Sequence, residues 1–120
     1  MSINLDDLDE NLKKKVVDLQ NLSASMEFLS NQSIQIESAL RESESAIEEL
    51  EKINPDETVY KSIGGILVKS EKNTLLDEKK SLKVSLEMRL KTIKAKEERT
   101  KSQIDTLRKN IQSDLKNKSA

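Results

Sequence analysis

The chain has 120 residues, of which 36% are charged and 34% hydrophobic, and its formal net charge is −1. With one Phe, one Tyr and no Trp, it lacks the large side chains that usually fill a compact globular core. Such a composition, with only two Gly and one Pro, indicates long helices that carry charges of both signs rather than a disordered chain. A chain of this length predicts one domain at most.

The residue types that are missing limit the chemistry. The sequence has no His and no Cys, which removes the commonest general base and the commonest zinc ligands. The only two glycines, Gly64 and Gly65, are not followed by the Lys-Ser/Thr of a phosphate-binding loop. We therefore expect no enzyme activity, no metal and no cofactor.

No segment reads as a signal peptide or as a membrane helix. The N-terminal residues lack an apolar stretch of the signal-peptide type. The longest uninterrupted apolar run is Ile66-Leu67-Val68, whereas a membrane helix needs about 20 apolar residues. We expect no membrane contact, and the absence of cysteine is compatible with a cytoplasmic protein.

The first arm, from residue 1 to residue 54, has the apolar spacing of a coiled coil. Apolar side chains fill 11 of 14 a and d positions over seven heptads when Leu5 is taken as a. The a positions are Leu5, Leu12, Leu19, Met26, Ser33, Leu40 and Ile47, and the d positions are Leu8, Lys15, Leu22, Leu29, Ile36, Ser43 and Leu50. A seam of this length favours a coiled coil over a compact globular helix. Pro55 disfavours helical geometry at Asn54 and should end the arm.

The second arm, predicted over residues 73–118, starts near a capping-box pattern at Thr74–Asp77. Its register is less regular. With Ile104 taken as a, several polar residues fall on the seam: Lys79, Lys83, Glu97, Thr100 and Asp114. Several apolar residues fall outside it: Leu75, Leu82, Val84, Met88 and Leu115. The pattern indicates a helix and leaves its register open.

The two arms carry opposite charge. Residues 1–50 have 4 basic and 11 acidic side chains, a net of −7, and residues 71–120 have 14 basic and 8 acidic side chains, a net of +6. An acidic helix and a basic helix of similar length, joined by a short connection, should fold back on each other in antiparallel fashion. Single surface ion pairs contribute only about 0.2–1 kcal/mol each, so the buried seam must supply most of the stability.

The basic second arm also raises the alternative of nucleic-acid binding. Its densest basic patch is Lys91–Lys101, but Glu97 and Glu98 interrupt it. No aromatic side chain lies nearby to stack on a base. We interpret the patch as a solvated helix face and expect no nucleic-acid partner.

Between the arms, residues 57–70 read as a β-hairpin. Two short runs of β-branched and aromatic residues flank Gly64-Gly65, which suits a two-residue primed turn because glycine adopts positive φ at little cost. A lone two-stranded hairpin is marginally stable in water, and its open edges favour pairing with other strands. We interpret the hairpin as an assembly element. The alternative is a loop that packs only against its own helices.

The combination of these features resembles a prefoldin subunit of the beta type, as found in archaea. The resemblance covers nearly the whole chain, and its most specific part is the hairpin "VYKSIGGILVK" followed by "LEMRLKTIKAKEER" in the basic helix. It implies a mainly α fold of two long helices in an antiparallel coiled coil, joined by a single β-hairpin that assembles into an intersubunit β-barrel. Beta-type subunits contribute one hairpin each and alpha-type subunits two.

The resemblance also implies a function. Prefoldins of this type are chaperone hexamers of two alpha and four beta subunits that hold non-native polypeptides without ATP hydrolysis. They pass these clients to a group II chaperonin. We therefore expect an alpha-type subunit and other beta copies as partners, together with non-native polypeptides and the chaperonin.

Two sets of site residues follow from the resemblance. The hairpin platform for oligomerisation would be formed by Val59, Tyr60, Ile63, Gly64, Ile66, Leu67 and Val68. The client-binding tips, where the two chain ends meet, would be formed by Ile3, Leu5, Leu8, Leu12, Leu107, Ile111 and Leu115. Fraying helix ends would expose these apolar side chains as an adaptable surface, although ordinary seam packing is the alternative for each. A scaffold or tether that only oligomerises through its hairpin is the competing function.

Overall fold

The computed structural model describes residues 9 to 119, which form two long helices with a hairpin between them. Helix α1 spans Glu10–Lys52, strand β1 spans Val59–Ile63, strand β2 spans Ile66–Ser70 and helix α2 spans Lys72–Ser119. The predicted two helices with a single hairpin between them are confirmed. Neither helix, over this part of the chain, holds a stretch apolar enough to span a bilayer.

The chain divides into two compact units. One, the terminal unit, takes the chain up to Gln32 together with the chain from Ile93 onward, and the other, the hairpin unit, is Ser33–Thr92. Within the terminal unit the two helices run antiparallel: Lys15 pairs with Asp114, while Leu29 lines the same groove as Thr100. Within the hairpin unit the ends of the helices that flank the hairpin are joined by contacts between Glu51 and Lys80 and between Ile53 and Lys72.

Helix α1 begins at Glu10 because Asp9 caps it. The Leu12 backbone N–H donates to Asp9 Oδ1 at 2.7 Å, which satisfies one of the amide groups that a helix start leaves without a partner. The described helix therefore starts directly after Asp9, and the part of the predicted first arm before Asp9 lies outside the described residues. At its other end α1 stops at Lys52, two residues before the predicted boundary, and the Asn54 carbonyl accepts from the Glu57 N–H across Pro55.

Helix α2 begins two residues before the predicted capping box. In its first turn the Leu75 N–H donates to the Glu71 carbonyl at 3.1 Å, so Thr74 lies inside the first turn rather than ahead of it. Lys72, the first residue of α2, also contacts the end of α1, because its Nζ donates to the Ile53 carbonyl at 2.7 Å. A cation placed on the free carbonyl groups at the end of α1 is favourable for that helix terminus.

The predicted seam of α1 is confirmed by burial. Every a and d position from Leu12 to Leu50 is buried or half-buried, including the polar Lys15, Ser33 and Ser43. No buried side-chain nitrogen or oxygen in residues 9–117 lacks a hydrogen-bond partner. Burial of these polar groups therefore does not carry the cost of unpaired donors or acceptors.

The seam of α2 settles the register that the sequence left open. With Ile104 as a, every a and d position from Leu76 to Asp114 is buried or half-buried. Of the apolar residues outside this register, Leu75 is buried at 7% exposure and Leu115 is half-buried. The remaining ones, Leu82, Val84 and Met88, are exposed.

Candidate assembly and client-binding sites

The hairpin is a two-residue turn between two short antiparallel strands. Ile63 pairs with Ile66, Ser62 with Leu67 and Lys61 with Val68. Gly64 and Gly65 adopt φ values of +52° and +86°, the two positive values that a type I′ turn needs. A Cβ added at either position would have no atom of the described chain within 4 Å, so the positive φ rather than a lack of space favours glycine.

The register places apolar groups on both faces of the hairpin. Residues that pair directly across an antiparallel ladder share a face, so Ile63, Ile66 and Val68 lie on the same side as Lys61. Tyr60 and Leu67 lie on the other side. Most of these side chains are strongly exposed in the single chain, with Leu67 at 72% and Ile66 at 64%. Five consecutive pairs therefore present apolar surface and open strand edges that this chain does not cover.

One face of the hairpin is tied to helix α2. Lys61 Nζ lies 2.8 Å from Glu78 Oε2, and Val59 at the base of the hairpin is half-buried. Lys61 thus links its face of the hairpin to α2 at one point, and Tyr60 and Leu67 lie on the opposite face. This contact was missed in the sequence, where Lys61 looked like an ordinary strand residue. The loop alternative is wrong, because residues 59–63 and 66–70 form two paired strands, although Lys61 does contact α2.

The predicted client-binding residues that the structure describes, Leu12, Leu107, Ile111 and Leu115, all lie in the terminal unit, and Leu107 lines a groove with Leu22. Leu12 is 1% exposed and Ile111 is buried, whereas Leu107 and Leu115 are half-buried. Leu12 and Ile111 are therefore packed in the seam in this structure. Among these four residues, the accessible apolar surface comes from Leu107 and Leu115. The other predicted members, Ile3, Leu5 and Leu8, lie outside the described residues.

A groove of about 630 Å³ runs along one side of the terminal unit. Its apolar lining comes from Leu22 of α1 and Leu107 of α2. Its other lining residues are polar: Asp18, Asn21, Ser25, Ser102, Gln103, Thr106 and Asn110. Sequence reasoning assigned Leu22 to the seam and not to a site. The signal that could have found the groove is the shortage of charge beside the seam at this point.

The seam of the terminal unit contains an ion pair. Lys15 Nζ lies 2.5 Å from Asp114 Oδ2, and their side chains are 25% and 36% exposed. This pair joins two polar residues that interrupt the seams of their helices. Across residues 9–119 no group of three or more His, Cys, Asp or Glu side chains converges in the way that a metal site requires.

Known proteins are similar to this chain in both sequence and fold. The prefoldin subunit family model matches residues 4–118. The prefoldin subunit beta of Methanothrix thermoacetophila is 35% identical over 109 residues, covering 91% of each chain. That of Archaeoglobus fulgidus is 32% identical over 106 residues, covering 88% of this chain and 91% of its own.

A solved structure has the same architecture. The crystal structure of the prefoldin beta subunit from Thermococcus strain KS-1 superposes with a TM-score of 0.82 at 25% identity, covering 91% of this chain and 96% of the other. Length, hairpin and both helices are therefore shared, and not only the coiled-coil periodicity that many unrelated filaments show. The chain belongs to the prefoldin family of chaperones, among its beta-type subunits.

Proposed function

We propose that this chain is a subunit of an ATP-independent holdase. It would assemble as four copies with two alpha-type subunits, capture non-native polypeptides at the ends of its coiled coils and pass them to a group II chaperonin in the cytoplasm. The single observation that carries the proposal is the exposed apolar hairpin in a chain that belongs to the prefoldin family. Beta-type prefoldin subunits assemble with other prefoldin subunits, and an uncovered hairpin is the surface that such assembly needs.

The hairpin supports the assembly part of the proposal. Its platform residues would be Val59, Tyr60, Ile63, Gly64, Ile66, Leu67 and Val68. Burying exposed side chains such as Ile66 and Leu67 against neighbouring hairpins would contribute about 1.5–3 kcal/mol for each fully covered side chain. Strand edges would gain hydrogen-bond partners at the same time.

The terminal unit supports the capture part. Leu107 and Leu115 already offer apolar surface, and opening of the helix ends would add Leu12 and Ile111. Helix ends fray more readily than helix centres because they hold fewer hydrogen bonds and fewer packing partners. A surface that opens in this way adapts to clients of many shapes without chemical steps or nucleotide.

A second function is a scaffold or tether that uses the hairpin only to oligomerise. The exposed hairpin is equally compatible with it. The two functions differ in one property, since a scaffold has a fixed partner and no affinity for unfolded chains.

An aggregation assay with an unfolded protein distinguishes the holdase from the scaffold. The chain is mixed with a prefoldin alpha subunit, guanidinium-unfolded rhodanese is diluted into the complex without nucleotide, and light scattering is followed. We expect suppression at about one hexamer per client. Removal of residues 1–12 and 107–120 should abolish the suppression of aggregation while the hexamer mass persists. The control is Val84→Ser, which changes an exposed apolar residue of the hairpin unit and should leave the suppression of aggregation intact. A stable complex that leaves scattering unchanged would favour the scaffold.

A further inference from the structure

The e positions of the two helices form one edge of the coiled coil, the e edge, and in the hairpin unit this edge carries acidic residues on α1. Side chains at such positions pair between helices. With Leu19 and Ile104 as a positions, the α1 members in the hairpin unit are Glu37, Glu44 and Glu51. Glu51 Oε1 lies 3.8 Å from Nζ of Lys80, which is an e position of α2. A glutamate on this edge therefore reaches a cation of the other helix.

In the terminal unit the e edge has serines where the hairpin unit has glutamates. Lys15 pairs with Asp114 and both are d positions, so the e positions that follow them, Val16 and Leu115, also face each other. Steps of seven residues from there oppose a serine to a cation twice, Ser23 to Arg108 and Ser30 to Lys101. The α2 cations are thus kept on this edge, while α1 offers them hydroxyl groups in place of carboxylates.

Arg108 has no charged partner within residues 9–117. Its side chain takes part in no ion pair or hydrogen bond with another residue of that range. Both Arg108 and Ser23 are exposed, whereas Ser30 is half-buried. The Ser23 hydroxyl is therefore accessible from solvent and lies opposite a guanidinium group that no carboxylate neutralises.

A phosphate on Ser23 would replace the missing glutamate. In phosphoserine, as in glutamate, the acidic oxygens lie three bonds beyond Cβ, and the phosphate carries a charge of about −1.5 to −2 at pH 7. Arginine binds a phosphate through two parallel N–H donors, which makes this pair stronger than an ordinary surface ion pair. Glu27, one turn after Ser23, would oppose the phosphate only weakly, as like charges at i and i+4 on a helix surface do.

We propose that Ser23 is a phosphorylation site and that Arg108 binds its phosphate, which links α1 to α2 in the terminal unit. Transfer from ATP by a protein kinase forms the bond between Ser23 Oγ and the γ-phosphorus, breaks the bond from that phosphorus to ADP and releases the hydroxyl proton. Because the link opposes opening of the two helices, phosphorylation lowers client capture. That last consequence rests on the proposed function, whereas the site and its effect on the helices do not.

Hydrogen exchange on the complex with an alpha subunit tests the link between the helices. Phosphoserine is incorporated at position 23 and, as the matched control, at position 25. Ser25 is also exposed, but it lies on the opposite edge of the coiled coil, in a groove whose lining contains no Lys or Arg. A third complex combines phosphoserine at position 23 with Arg108→Gln.

We expect phosphate at position 23 to slow amide exchange over residues 16–32 by about fivefold, and phosphate at position 25 to slow it by less than about twofold. Arg108→Gln should remove most of the slowing at position 23. No slowing at position 23, equal slowing at both positions, or slowing that survives Arg108→Gln would overturn the assignment of Arg108 as the phosphate ligand.

Two further measurements address the modification and its consequence. Mass spectrometry of this chain, isolated from growing, stationary and heat-stressed cells that produce it, should find the peptide containing Ser23 heavier by one phosphate, and its absence in all three would overturn the modification. Suppression of rhodanese aggregation should require up to about fivefold more of the complex phosphorylated at position 23. An unchanged requirement would overturn the effect on capture, whereas a complex that never suppresses aggregation removes the holdase and leaves the phosphate to be judged by exchange and mass.

Discussion

At the scale of single residues, Lys15 and Asp114 show how the seam accommodates charge. Each interrupts the apolar pattern of its helix, and the structure places them 2.5 Å apart with only partial exposure. A partly buried charge without a partner is costly, so a shift of either helix that separated the two would be penalised. The pair therefore helps to fix which residues of the two helices face each other in the terminal unit.

We predict that removing one member of this ion pair lowers the stability of the chain more than removing both. Lys15→Met and Asp114→Leu should each destabilise the chain, and the double variant should recover most of the loss because apolar residues suit a seam position. A double-mutant cycle, from urea unfolding followed by circular dichroism, should give a coupling energy of about 1 kcal/mol. The Glu10 and Lys13 pair, at 3.6 Å with Glu10 almost fully exposed, serves as the control and should give about 0.3 kcal/mol. Equal coupling in both pairs would contradict a role in register.

At the scale of elements, the hairpin is set by its turn and by its attachment to α2. The turn needs positive φ at Gly64 and Gly65, and the attachment runs through Lys61 and Glu78. Together they decide which face of the hairpin is linked to its own helix. Both features act through local geometry, so single substitutions can test them.

The turn predicts a difference between two substitutions at the same position. Gly64→Asn should be tolerated, since Asn adopts left-handed geometry with little strain, whereas Gly64→Val should cost about 1–2 kcal/mol more. A Cβ added at Gly64 would have no atom of the described chain within 4 Å, so we expect the difference to come from backbone strain. Thermal unfolding of the complex with an alpha subunit measures it, and equal melting temperatures for the two variants would contradict the turn assignment.

The attachment predicts rescue by charge exchange. Lys61→Glu should weaken assembly with the alpha subunit because it repels Glu78 and releases the hairpin from α2. Adding Glu78→Lys should restore assembly. Sedimentation velocity measures the hexamer fraction, and Lys69→Glu, which makes the same charge change on the opposite face, is the control that Glu78→Lys should not rescue. Rescue of both variants would show a general charge effect instead.

Much of both helices could be predicted from the sequence because their seams repeat. The α1 register held at every described position, and the hairpin register followed from the alternation around Gly64-Gly65. The α2 register could not be decided from the sequence, because polar residues such as Lys79 and Lys83 fall on the seam while several apolar residues fall outside it. Leu75 shows the difficulty: it is off the seam yet buried. The Lys61–Glu78 contact depends on tertiary packing, which no local pattern encodes.

At the scale of the whole molecule, the surfaces that we propose for assembly and for capture lie in different units of one chain. The hairpin unit carries exposed strands and the terminal unit carries a groove with accessible leucines. The acidic and basic arms have net charges of −7 and +6, which favour pairing within the chain over pairing with a like arm of another copy. A prefoldin subunit built this way should lose one activity at a time when one unit is altered.

The most direct measurement is native mass spectrometry of this chain with an alpha subunit, with and without unfolded rhodanese. We predict a hexamer that holds four copies of this chain and gains the mass of one client. Leu67→Asp on the exposed hairpin face should remove the hexamer, and loss of residues 1–12 and 107–120 should remove only the client. A hexamer that never acquires client mass, or one that keeps its client after both ends are removed, would contradict the account.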